Sequence, residues 1–485
     1  MPEFDLLVIG GGPGGYVAAI RAAQRGLRVA VVEKERPGGV CLNWGCIPTK
    51  AMLRSAEIYQ SVKDAADFGI HAEGLGVDFG VVRHRKDRIV TELTDGVAGL
   101  LKANGVTVLE GHARFTGPTT VDIFDAGPSP VFPDGPRYAA APTTTATRTV
   151  SATDVIVATG SVPAQLPVPG ADLPGVITSD GAFGLTEIPA RLVVIGGSAV
   201  GAEWASLFAT FGSAVTVIEM QDRLVPLEDK EIGTALGRSF GKHGIGVLTG
   251  STVTAIASTD TGLRVSVSGA HARDIDADVV LVGVGRRPNT ADLGLDKAGI
   301  TTDARGFITV DEQLRTDVDN VSAIGDVTGK ALLAHVASHQ GLTAADVIAG
   351  HDAHIDYAVI PAATFTHPEI ASVGLTEDAA KAEGHEVVTA KFPFAALGRA
   401  KTFGDTEGFM KIVAGHQHGE VLGVHIIGPS ASDLITEGAL AISLEATLDE
   451  LADTIHAHPT LGEIGMEAAL TGLGLPVHLA PSRKR

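Results

Sequence analysis

Short apolar runs that end in glycine-rich turns recur along the chain, and they predict buried parallel strands. Residues 6–35 and residues 192–221 repeat one pattern: an apolar strand, a Gly-rich turn, a helix of small residues and a second strand that ends in an acid. The two acids are Glu33 and Glu219. This order of elements predicts a βαβ unit that occurs twice within a doubly wound α/β fold.

Further apolar runs predict additional buried strands at residues 155–160, 279–285 and 321–326, and the last of these runs ends in Asp326. Residues 126–147 differ from them, because they have few large apolar side chains and are rich in Pro, Thr, Ala and Gly. This composition predicts an exposed loop or hairpin excursion, or only a tether between strands.

The composition is that of a globular chain with several domains. Its 485 residues are 45% hydrophobic, and the length suggests about three or four domains at ~100–200 residues each. The formal net charge of −20 disfavours nucleic acid and anionic membrane surfaces as partners. No apolar run approaches the ~18 residues of a membrane span, and the first residues lack a basic signal region. We therefore expect a cytoplasmic protein.

The first Gly-rich turn has the residues that a dinucleotide pyrophosphate requires. Gly10 permits the tight turn, Gly12 lets the backbone approach the pyrophosphate, and Gly15 allows the helix and strand to pack closely. The phosphates would then lie at the helix N-terminus, where free N–H groups favour an anion. Glu33 can accept hydrogen bonds from a ribose diol. The alternative is a Gly-rich turn without a ligand.

The second Gly-rich turn departs from this pattern at one position. Gly196 and Gly201 occupy the outer positions, but Ser198 replaces the middle glycine and narrows the approach to a pyrophosphate. Glu219 favours a free ribose 2′-OH and repels a 2′-phosphate, so we expect NAD rather than NADP. Arg223 is the one argument for NADP, because a flexible arginine nearby can bind a 2′-phosphate.

Cys41 and Cys46 are the only two cysteines in the chain. Residues five apart in a regular helix are separated by roughly 8–9 Å, which exceeds the ~7 Å limit between the Cα atoms of a disulfide, so we expect a distortion at Gly45. Cys46 comes just before a helical pattern over residues 51–62, and a helix N-terminus stabilises a thiolate. Three interpretations of the pair are open: a metal site, two inert core residues, or a redox disulfide. A metal site would need further ligands, and Cys or His residues at finger spacing are missing. We prefer the redox disulfide.

The sequence resembles the pyridine nucleotide–disulfide oxidoreductases over nearly its whole length. The segments that carry the resemblance, besides the second Gly-rich turn, are GGGPGG (10–15), GGVCLNWGCIPTK (38–50), VATG (157–160), GVGRRPN (283–289), AIGD (323–326), LLAH (332–335), FTHPEIASVGLTE (365–377) and HAHPTLGE (456–463). The resemblance implies two Rossmann-like dinucleotide-binding domains, for FAD and NAD, and a C-terminal α+β dimerisation domain that forms a homodimer. The domains would cover residues 1–160 (FAD), 161–285 (NAD), 286–355 (a central domain that completes the FAD site) and 356–485 (dimerisation).

The resemblance also implies unequal roles for the two cysteines and a catalytic base. Cys41 would exchange with the substrate, and Cys46 would face the isoalloxazine ring of FAD. His458, oriented by Glu463, would act as a base at the cysteines of the partner subunit. A carboxylate that holds an imidazole raises its basicity and sets its tautomer, although such a pair in isolation is more often a surface hydrogen bond. His456 lies nearby, but the family pattern selects the second histidine.

Further cofactor contacts follow from the same resemblance. Lys50 would lie near the flavin N5 edge and pair with Glu203, and Asp326 would hold the ribityl chain. No metal is expected. The remaining candidate cofactor contacts are Pro13, Gly14, Lys34, Gly111, Ala113, Thr159, Gly160, Ser161, Leu333, Ala334, His335, Val253 and Gly285.

The activity that the resemblance implies is oxidation of protein-bound dihydrolipoamide through the Cys41–Cys46 disulfide and FAD, with reduction of NAD⁺. The lipoyl domains of 2-oxo acid dehydrogenase or related complexes would be the partners. Another NAD(P)H-dependent disulfide or quinone reductase is the alternative within the family, and a non-catalytic binding subunit is the alternative outside enzymes. Mercuric and thioredoxin reductases need further or differently spaced cysteines, and Glu219 disfavours the NADP-dependent glutathione-type reductases.

Overall fold

The computed structural model describes residues 2–125 and 143–480. The chain forms two compact units. Unit 1 comprises Met1–Gln165, Ile177–Ile188 and Gly285–Ile355, and unit 2 comprises Leu166–Val176, Pro189–Val284 and Asp356–Arg485. The finer division into four domains stays a prediction. Most of the excursion expected at residues 126–147 lies outside the described residues, but Thr147 N–H donates to the Ile123 carbonyl at 2.8 Å at its described end.

The first part of unit 1 contains both strands and helices. Its elements are β1 (Phe4–Ile9), α1 (Pro13–Gln24), β2 (Val29–Glu33), α2 (Gly39–Trp44), α3 (Cys46–Lys63), α4 (Phe79–Ala103), β3 (Thr107–Glu110), β4 (His112–Gly117), β5 (Thr120–Phe124), β6 (Arg148–Val157) and β7 (Ser161–Pro163). The predicted repeat is present, because β1, α1 and β2 form its first copy. Helix α3 begins at Cys46, several residues before the pattern that predicted it.

The chain then crosses into unit 2 and builds the second copy of the repeat. Before this copy, β8 (Val176–Thr178) spans the sequence boundary between the units, and α5 (Ser179–Ala182) belongs to unit 1. The elements that follow in unit 2 are β9 (Arg191–Ile195), α6 (Ala199–Thr210), β10 (Ala214–Ile218), α7 (Lys230–Lys242), β11 (Gly246–Leu248), β12 (Ser251–Thr259), β13 (Gly262–Gly269), β14 (Arg273–Ala277) and β15 (Val279–Val282). Strands β11, β10, β9 and β15 pair in parallel in this order, and β12, β13 and β14 form an antiparallel sheet.

Unit 1 is completed by residues that return to it much later in the sequence. They form β16 (Arg286–Pro288), α8 (Leu295–Ala298), β17 (Val321–Ala323) and α9 (Ala334–Ile348). The parallel order is β3-β2-β1-β6-β17, and the first residues of β6 also pair antiparallel with β5, which pairs with β4. Strand β1 is apolar at nearly every position and β17 is wholly buried, as expected for parallel strands that are covered on both faces.

The C-terminal part of unit 2 is an antiparallel sheet with helices packed on it. Its elements are β18 (Ala362–Thr364), β19 (Ile370–Gly374), α10 (Glu377–Ala382), β20 (Val387–Pro393), α11 (Gly398–Phe403), β21 (Phe409–Gly415), β22 (Val421–Ile427), α12 (Ala431–Ser443), α13 (Leu448–Asp453) and α14 (Glu463–Gly472). The strand order is β18-β19-β22-β21-β20, and α12 and α14 cover the sheet with an apolar core.

Candidate functional site

The cysteine segment is broken at the residue that the spacing predicted. Helix α2 ends at Trp44, Gly45 has φ −137° and ψ −109°, and α3 begins at Cys46. A Cβ atom at Gly45 would lie 3.0 Å from the Val40 carbonyl oxygen, so glycine suits this bend. The structure holds Cys41 and Cys46 as two partly buried thiols that are hydrogen-bonded to each other.

The Cys41 thiol is strongly affected by its neighbours. The hydrogen bond to Cys46 raises the pKa of the Cys41 thiol far above its usual value, and burial and the negative charge of Cys46 act in the same direction. Lys50 opposes this effect weakly, so its ammonium group is near the pair. Lys50 follows Cys46 by one helical turn in α3, which places both residues on one face. Cys46 lies at the N-terminus of α3, a position that favours a thiolate.

Tyr16 is a neighbour of this pair that the sequence did not suggest as a site residue. Burial and, after it, the charge of Cys41 raise the pKa of the Tyr16 phenol, so the ring lies close to Cys41. Tyr16 belongs to α1 and directly follows the glycines of the first Gly-rich turn. Its place at the end of the GGGPGG segment is the signal that could have identified it.

The first Gly-rich turn leaves room for a ligand at its middle glycine, whereas backbone atoms crowd its outer glycines. Gly10 has φ +104°, and a Cβ atom there or at Gly15 would overlap a backbone carbonyl oxygen. Gly12 has φ −69°, and the nearest atom to its Cβ position is the Gly39 Cα at 3.8 Å. Gly12 therefore faces an open cradle at the start of α1, and this cradle fits a pyrophosphate.

Glu33 is fixed at the end of β2 by backbone N–H groups. Its two carboxylate oxygens accept hydrogen bonds from Gly11 at 2.7 Å and from Glu35 at 2.9 Å. Burial raises the pKa of the Glu33 carboxyl, and these hydrogen bonds oppose the rise. Gly111 N–H donates to the Glu33 carbonyl at 3.0 Å, so Gly111 lies beside the acid. Lys34 follows Glu33 directly, and Ala113 is in β4.

Asp326 belongs to a small polar network in unit 1. The Ser161 hydroxyl donates to an Asp326 oxygen, and the Arg286 guanidinium donates to the Ser161 hydroxyl at 2.6 Å and to its carbonyl at 2.8 Å. Burial raises the pKa of Asp326, while Ser161 and Arg286 oppose the rise. Arg286 was not a candidate, although its GVGRRPN segment was noted. The pairing of β16 with β7 places it beside Ser161.

Two further groups of candidates lie in unit 1. Thr159 and Gly160 follow β6, and the buried Thr159 hydroxyl has no hydrogen-bond partner among the described residues, as expected for a group that meets a ligand. Leu333, Ala334 and His335 lie at the start of α9. This helix packs tightly on α1, because a Cβ atom at Gly341 would lie 2.5 Å from the Gly14 carbonyl oxygen. The remaining candidates of this unit are Pro13 at the start of α1 and Gly285 before β16.

The second Gly-rich turn, in unit 2, repeats the geometry of the first. Gly196 has φ +101°, and a Cβ atom at Gly201 would overlap the Gly196 carbonyl oxygen. Glu219 accepts hydrogen bonds from Gly197 N–H at 2.6 Å and from Gln221 N–H at 2.7 Å, as Glu33 does in the first copy. Ser198 has φ −75°, so its side chain causes no backbone strain.

The other unit 2 candidates have defined places. Arg223 donates to the Pro226 carbonyl at 3.0 Å and pairs with Asp222 at 3.0 Å, so its guanidinium is engaged within its own loop. Val253 is buried in β12. Glu203, in α6, accepts a hydrogen bond from Phe365 N–H at 2.9 Å. The expected Lys50–Glu203 pair joins residues of different units and stays a prediction.

His458 and Glu463 form the predicted pair. His458 Nδ1 lies 2.8 Å from Glu463 Oε1, and Thr460 N–H donates to Glu463 Oε2 at 2.8 Å. Burial alone would raise the pKa of the Glu463 carboxyl, but the hydrogen bonds from Thr460 and His458 outweigh burial and lower it. The His458 side chain is 77% exposed. A charged acceptor behind an exposed imidazole is the arrangement of a general base.

Neither a membrane span nor a metal centre is found in residues 2–125 and 143–480. No described helix is both long and apolar enough to cross a membrane. Within the same ranges, no group of three or more His, Cys, Asp or Glu side chains could hold a metal ion.

Comparison with known proteins assigns the family. Residues 4–341 match the model of pyridine nucleotide-disulphide oxidoreductases, and residues 360–469 match the dimerisation domain of the same proteins. The chain belongs to the pyridine nucleotide-disulphide oxidoreductase family. Its predicted fold class is confirmed, with a C-terminal dimerisation domain, and the family implies binding of FAD and NAD(P).

Several curated relatives match the chain from end to end, and they are called dihydrolipoyl dehydrogenase. The chain is 44% identical to that of Chlamydia muridarum over 483 residues, covering 99% of both chains. It is 44% identical to that of Geobacillus stearothermophilus over 478 residues and 45% identical to one of Bacillus subtilis over 480 residues, with 98% of each chain covered.

Solved structures of the family superpose on the chain at lower identity. LpdA from Mycobacterium tuberculosis is 28% identical with a TM-score of 0.85, covering 96% of this chain and 98% of its own. The Cu(II) complex of the HOCl-induced flavoprotein disulfide reductase RclA from Escherichia coli is 26% identical with a TM-score of 0.84, covering 97% and 99%.

Proposed function

We propose that this flavoprotein disulfide oxidoreductase is a dihydrolipoyl dehydrogenase that uses FAD and NAD⁺. The observation that carries the proposal is the Cys41–Cys46 pair, two partly buried thiols brought together by the break at Gly45, in a chain that aligns from end to end with relatives of that name. A substrate dithiol would be oxidised at the pair, and NAD⁺ would be reduced. Lipoyl domains of a 2-oxo acid dehydrogenase complex, or of a related complex, would deliver the dithiol.

The first Gly-rich turn and the residues around it fit FAD. The cradle at Gly12 would hold the pyrophosphate, Glu33 would bind the adenosine ribose, and Asp326 with Ser161 would bind the ribityl chain. The unpartnered Thr159 hydroxyl is a further donor for the cofactor. Bound FAD supplies the two-electron redox chemistry between the cysteine pair and NAD⁺.

The protein's own groups account for the thiol–disulfide exchange. His458 of the partner subunit accepts a proton from the substrate dithiol, and the resulting thiolate attacks Cys41 of the Cys41–Cys46 disulfide. The disulfide breaks, and its electron pair goes to Cys46. The second substrate thiol then loses its proton and displaces Cys41 from the mixed disulfide. The substrate leaves as a cyclic disulfide, and the two electrons remain on the cysteine pair.

The second Gly-rich turn fits NAD⁺. Glu219, held by two backbone N–H groups, is the acid that would meet the ribose, and Arg223 is engaged within its own loop. Both observations favour a free 2′-OH over a 2′-phosphate.

A steady-state comparison tests the proposal. The purified protein should oxidise dihydrolipoamide with NAD⁺ and reduce lipoamide with NADH much faster than it reduces oxidised low-molecular-weight thiols or quinones. The variant Cys46→Ser should lose lipoamide turnover while it keeps the yellow flavin. Full activity of Cys46→Ser would refute the disulfide scheme, and faster turnover with NADPH would refute the role of Glu219.

A further inference from the structure

Four polar side chains form a row across the C-terminal sheet of unit 2. The strand register places Lys391 of β20 opposite Lys411 of β21, Lys411 opposite His425 of β22, and His425 opposite Ser372 of β19. Directly opposite residues share a face of the sheet, so the whole row lies on one face. Lys411 and His425 are only 2% and 1% exposed. A lysine that is so deeply buried needs carboxylate partners.

Carboxylates from two other elements surround Lys411. Its ammonium group lies 3.0 and 3.1 Å from the oxygens of Asp229, 2.7 Å from Glu377 and 3.1 Å from Glu231. Glu231 also pairs with Lys391, so this carboxylate lies between the two neighbouring lysines. Burial would lower the pKa of Lys411, but these carboxylates outweigh burial and raise it, so the ammonium stays charged.

Asp229 connects this cluster to the second Gly-rich turn. It is the N-cap residue of α7, where its side chain accepts the Glu231 N–H at 3.0 Å. It also ends the segment 219–229, which we call the nucleotide loop and which begins at Glu219. Lys411 therefore holds the residue at which the nucleotide loop turns into α7.

The nucleotide loop is fastened in turn to the Gly-rich turn. Val225 N–H donates to the Gly197 carbonyl at 2.8 Å, and Glu219 accepts the Gly197 N–H. Val225 has φ +41°, which is strained for a β-branched residue and persists only where its surroundings enforce it. A Cβ atom at Gly233 of α7 would lie 2.5 Å from the Leu224 carbonyl oxygen, so α7 packs closely on the loop.

We propose that Lys411 is a positioning residue for the second dinucleotide site. By holding Asp229, it fixes the start of α7 and the nucleotide loop. The loop in turn holds the backbone N–H and the carbonyl of Gly197, and with them the Gly-rich turn that would receive the pyrophosphate. This inference rests on the proposed NAD function of the Gly-rich turn. It assigns no contact between Lys411 and the nucleotide.

Calorimetric titration of the FAD-containing holoenzyme with NAD⁺ tests the assignment. Lys411→Met should weaken NAD⁺ binding about tenfold, within the range of couplings between distant sites, while the flavin spectrum and the KM for dihydrolipoamide stay unchanged. Lys411→Arg should restore most of the affinity. The matched control is Lys381→Met, because Lys381 also pairs with Glu377 but is 54% exposed and does not reach Asp229. Its NAD⁺ affinity should equal that of the wild type.

A second variant covers the case in which Lys411→Met does not fold. The double variant Asp229→Asn/Lys411→Met removes both charges, and asparagine preserves the N-cap of α7. It should fold with a normal flavin spectrum, bind NAD⁺ weakly, and show faster hydrogen exchange at the amides of Gly197 and Val225. Wild-type affinity in this folded double variant would overturn the proposal. If the wild type prefers NADPH, the proposed cofactor is wrong, and the same titrations with NADPH then decide the role of Lys411.

Discussion

At the residue scale, His456 and His458 are two residues apart, yet only one of them is suited to act as a base. Both ring nitrogens of His456 are engaged at 2.8 Å, one by the Thr454 carbonyl and the other by Glu437, and its side chain is 10% exposed. His458 uses Nδ1 to hold Glu463 and presents the rest of an exposed ring. The role of His458 as the base stays a prediction, and these surroundings are the reason to test it rather than His456.

Replacement of His458 tests this difference. His458→Gln should lower kcat for dihydrolipoamide oxidation by about 10²–10⁴-fold, because a positioned base contributes that much to a proton transfer. Glu463→Gln should cause a smaller loss, since the imidazole would lose the carboxylate that orients it. Steady-state kinetics between pH 5 and 9 provide the measurement. As the control, His456→Gln should affect thermal stability more than activity, and equal losses for the two histidines would contradict the assignment.

At the element scale, the two βαβ copies show why glycine occurs at particular positions. The outer glycines, Gly10 and Gly15 in the first copy, are needed by the protein itself, since a Cβ atom at either would overlap backbone. The middle position is different, because Gly12 has an ordinary φ and open space beside it. Ser198 at the corresponding position of the second copy fits this view. The middle glycine therefore serves the ligand rather than the fold.

Two alanine substitutions separate these roles. Gly15→Ala should prevent α1 from packing on β1 and yield unstable protein without flavin, because the new methyl group would overlap the Gly10 carbonyl oxygen. Gly12→Ala should fold with a nearly normal melting temperature but retain FAD less well. Thermal unfolding and the flavin content after gel filtration distinguish the two. A Gly12→Ala protein as unstable as Gly15→Ala would contradict this account.

The carboxylates around Lys411 predict that the stability of unit 2 depends on pH. Burial would raise the pKa values of Asp229 and Glu231, but the Glu231 N–H at Asp229 and the lysines at both carboxyls outweigh it and lower these values. Hydrogen bonds from Lys381 and Lys411 lower the pKa of Glu377 against a smaller effect of burial. A carboxyl with a lowered folded-state pKa stabilises the fold above its unfolded value of roughly 4, and this stability is lost as pH falls through the folded pKa. Lys411 has a raised pKa, so its contribution is lost only in strongly alkaline solution.

The other groups of the cluster modify the expected curve. Burial lowers the pKa of His425, so further stability is lost as the pH falls below about 6.5. Burial raises the pKa of Glu228, so protonation of this carboxyl at low pH favours the folded state. We expect the melting temperature to fall between about pH 6 and 3 and to fall less steeply in Asp229→Asn/Lys411→Met. Calorimetry across this range is the measurement, and parallel curves for the two proteins would argue against the cluster as the cause.

At the scale of the whole molecule, each compact unit carries one dinucleotide fingerprint and one part of the thiol chemistry. Unit 1 contains the first Gly-rich turn and the Cys41–Cys46 pair, and unit 2 contains the second turn and the His458–Glu463 pair. Residues 360–469 match a dimerisation domain. The proposed function therefore requires two chains, since His458 of the partner subunit would act on the dithiol that meets Cys41.

Mixed dimers test this requirement. Cys41→Ser and His458→Gln homodimers should each be nearly inactive, whereas chains of the two kinds mixed at random should recover about a quarter of wild-type activity, because half of the dimers contain one intact site out of two. Co-expression with two affinity tags allows the mixed dimer to be isolated, and it should have about half of wild-type activity, because one of its two sites is intact. A mixed dimer without activity would place both groups of a site on one chain.

Interactions that are local along the chain were predictable from the sequence. The two βαβ copies follow from apolar runs and glycines at short spacing, and the break at Gly45 follows from the reach of two cysteines five residues apart. The His458–Glu463 pair also joins close neighbours. In each case the turn or helix that unites the residues is itself encoded by the residues between them.

The tertiary structure alone decided which distant residues meet. Arg286 reaches Ser161 across 125 positions, and Lys411 reaches Asp229 across 182 positions. Both pairs depend on how strands and helices from separate parts of the chain are arranged, and in a strand a shift of one residue turns every side chain to the opposite face. A lone arginine or lysine in the sequence does not reveal that arrangement. The sequence therefore determined the two dinucleotide folds and the reactive groups. Packing over long separations decided which distant side chains, such as Arg286 and Lys411, contact the residues around them.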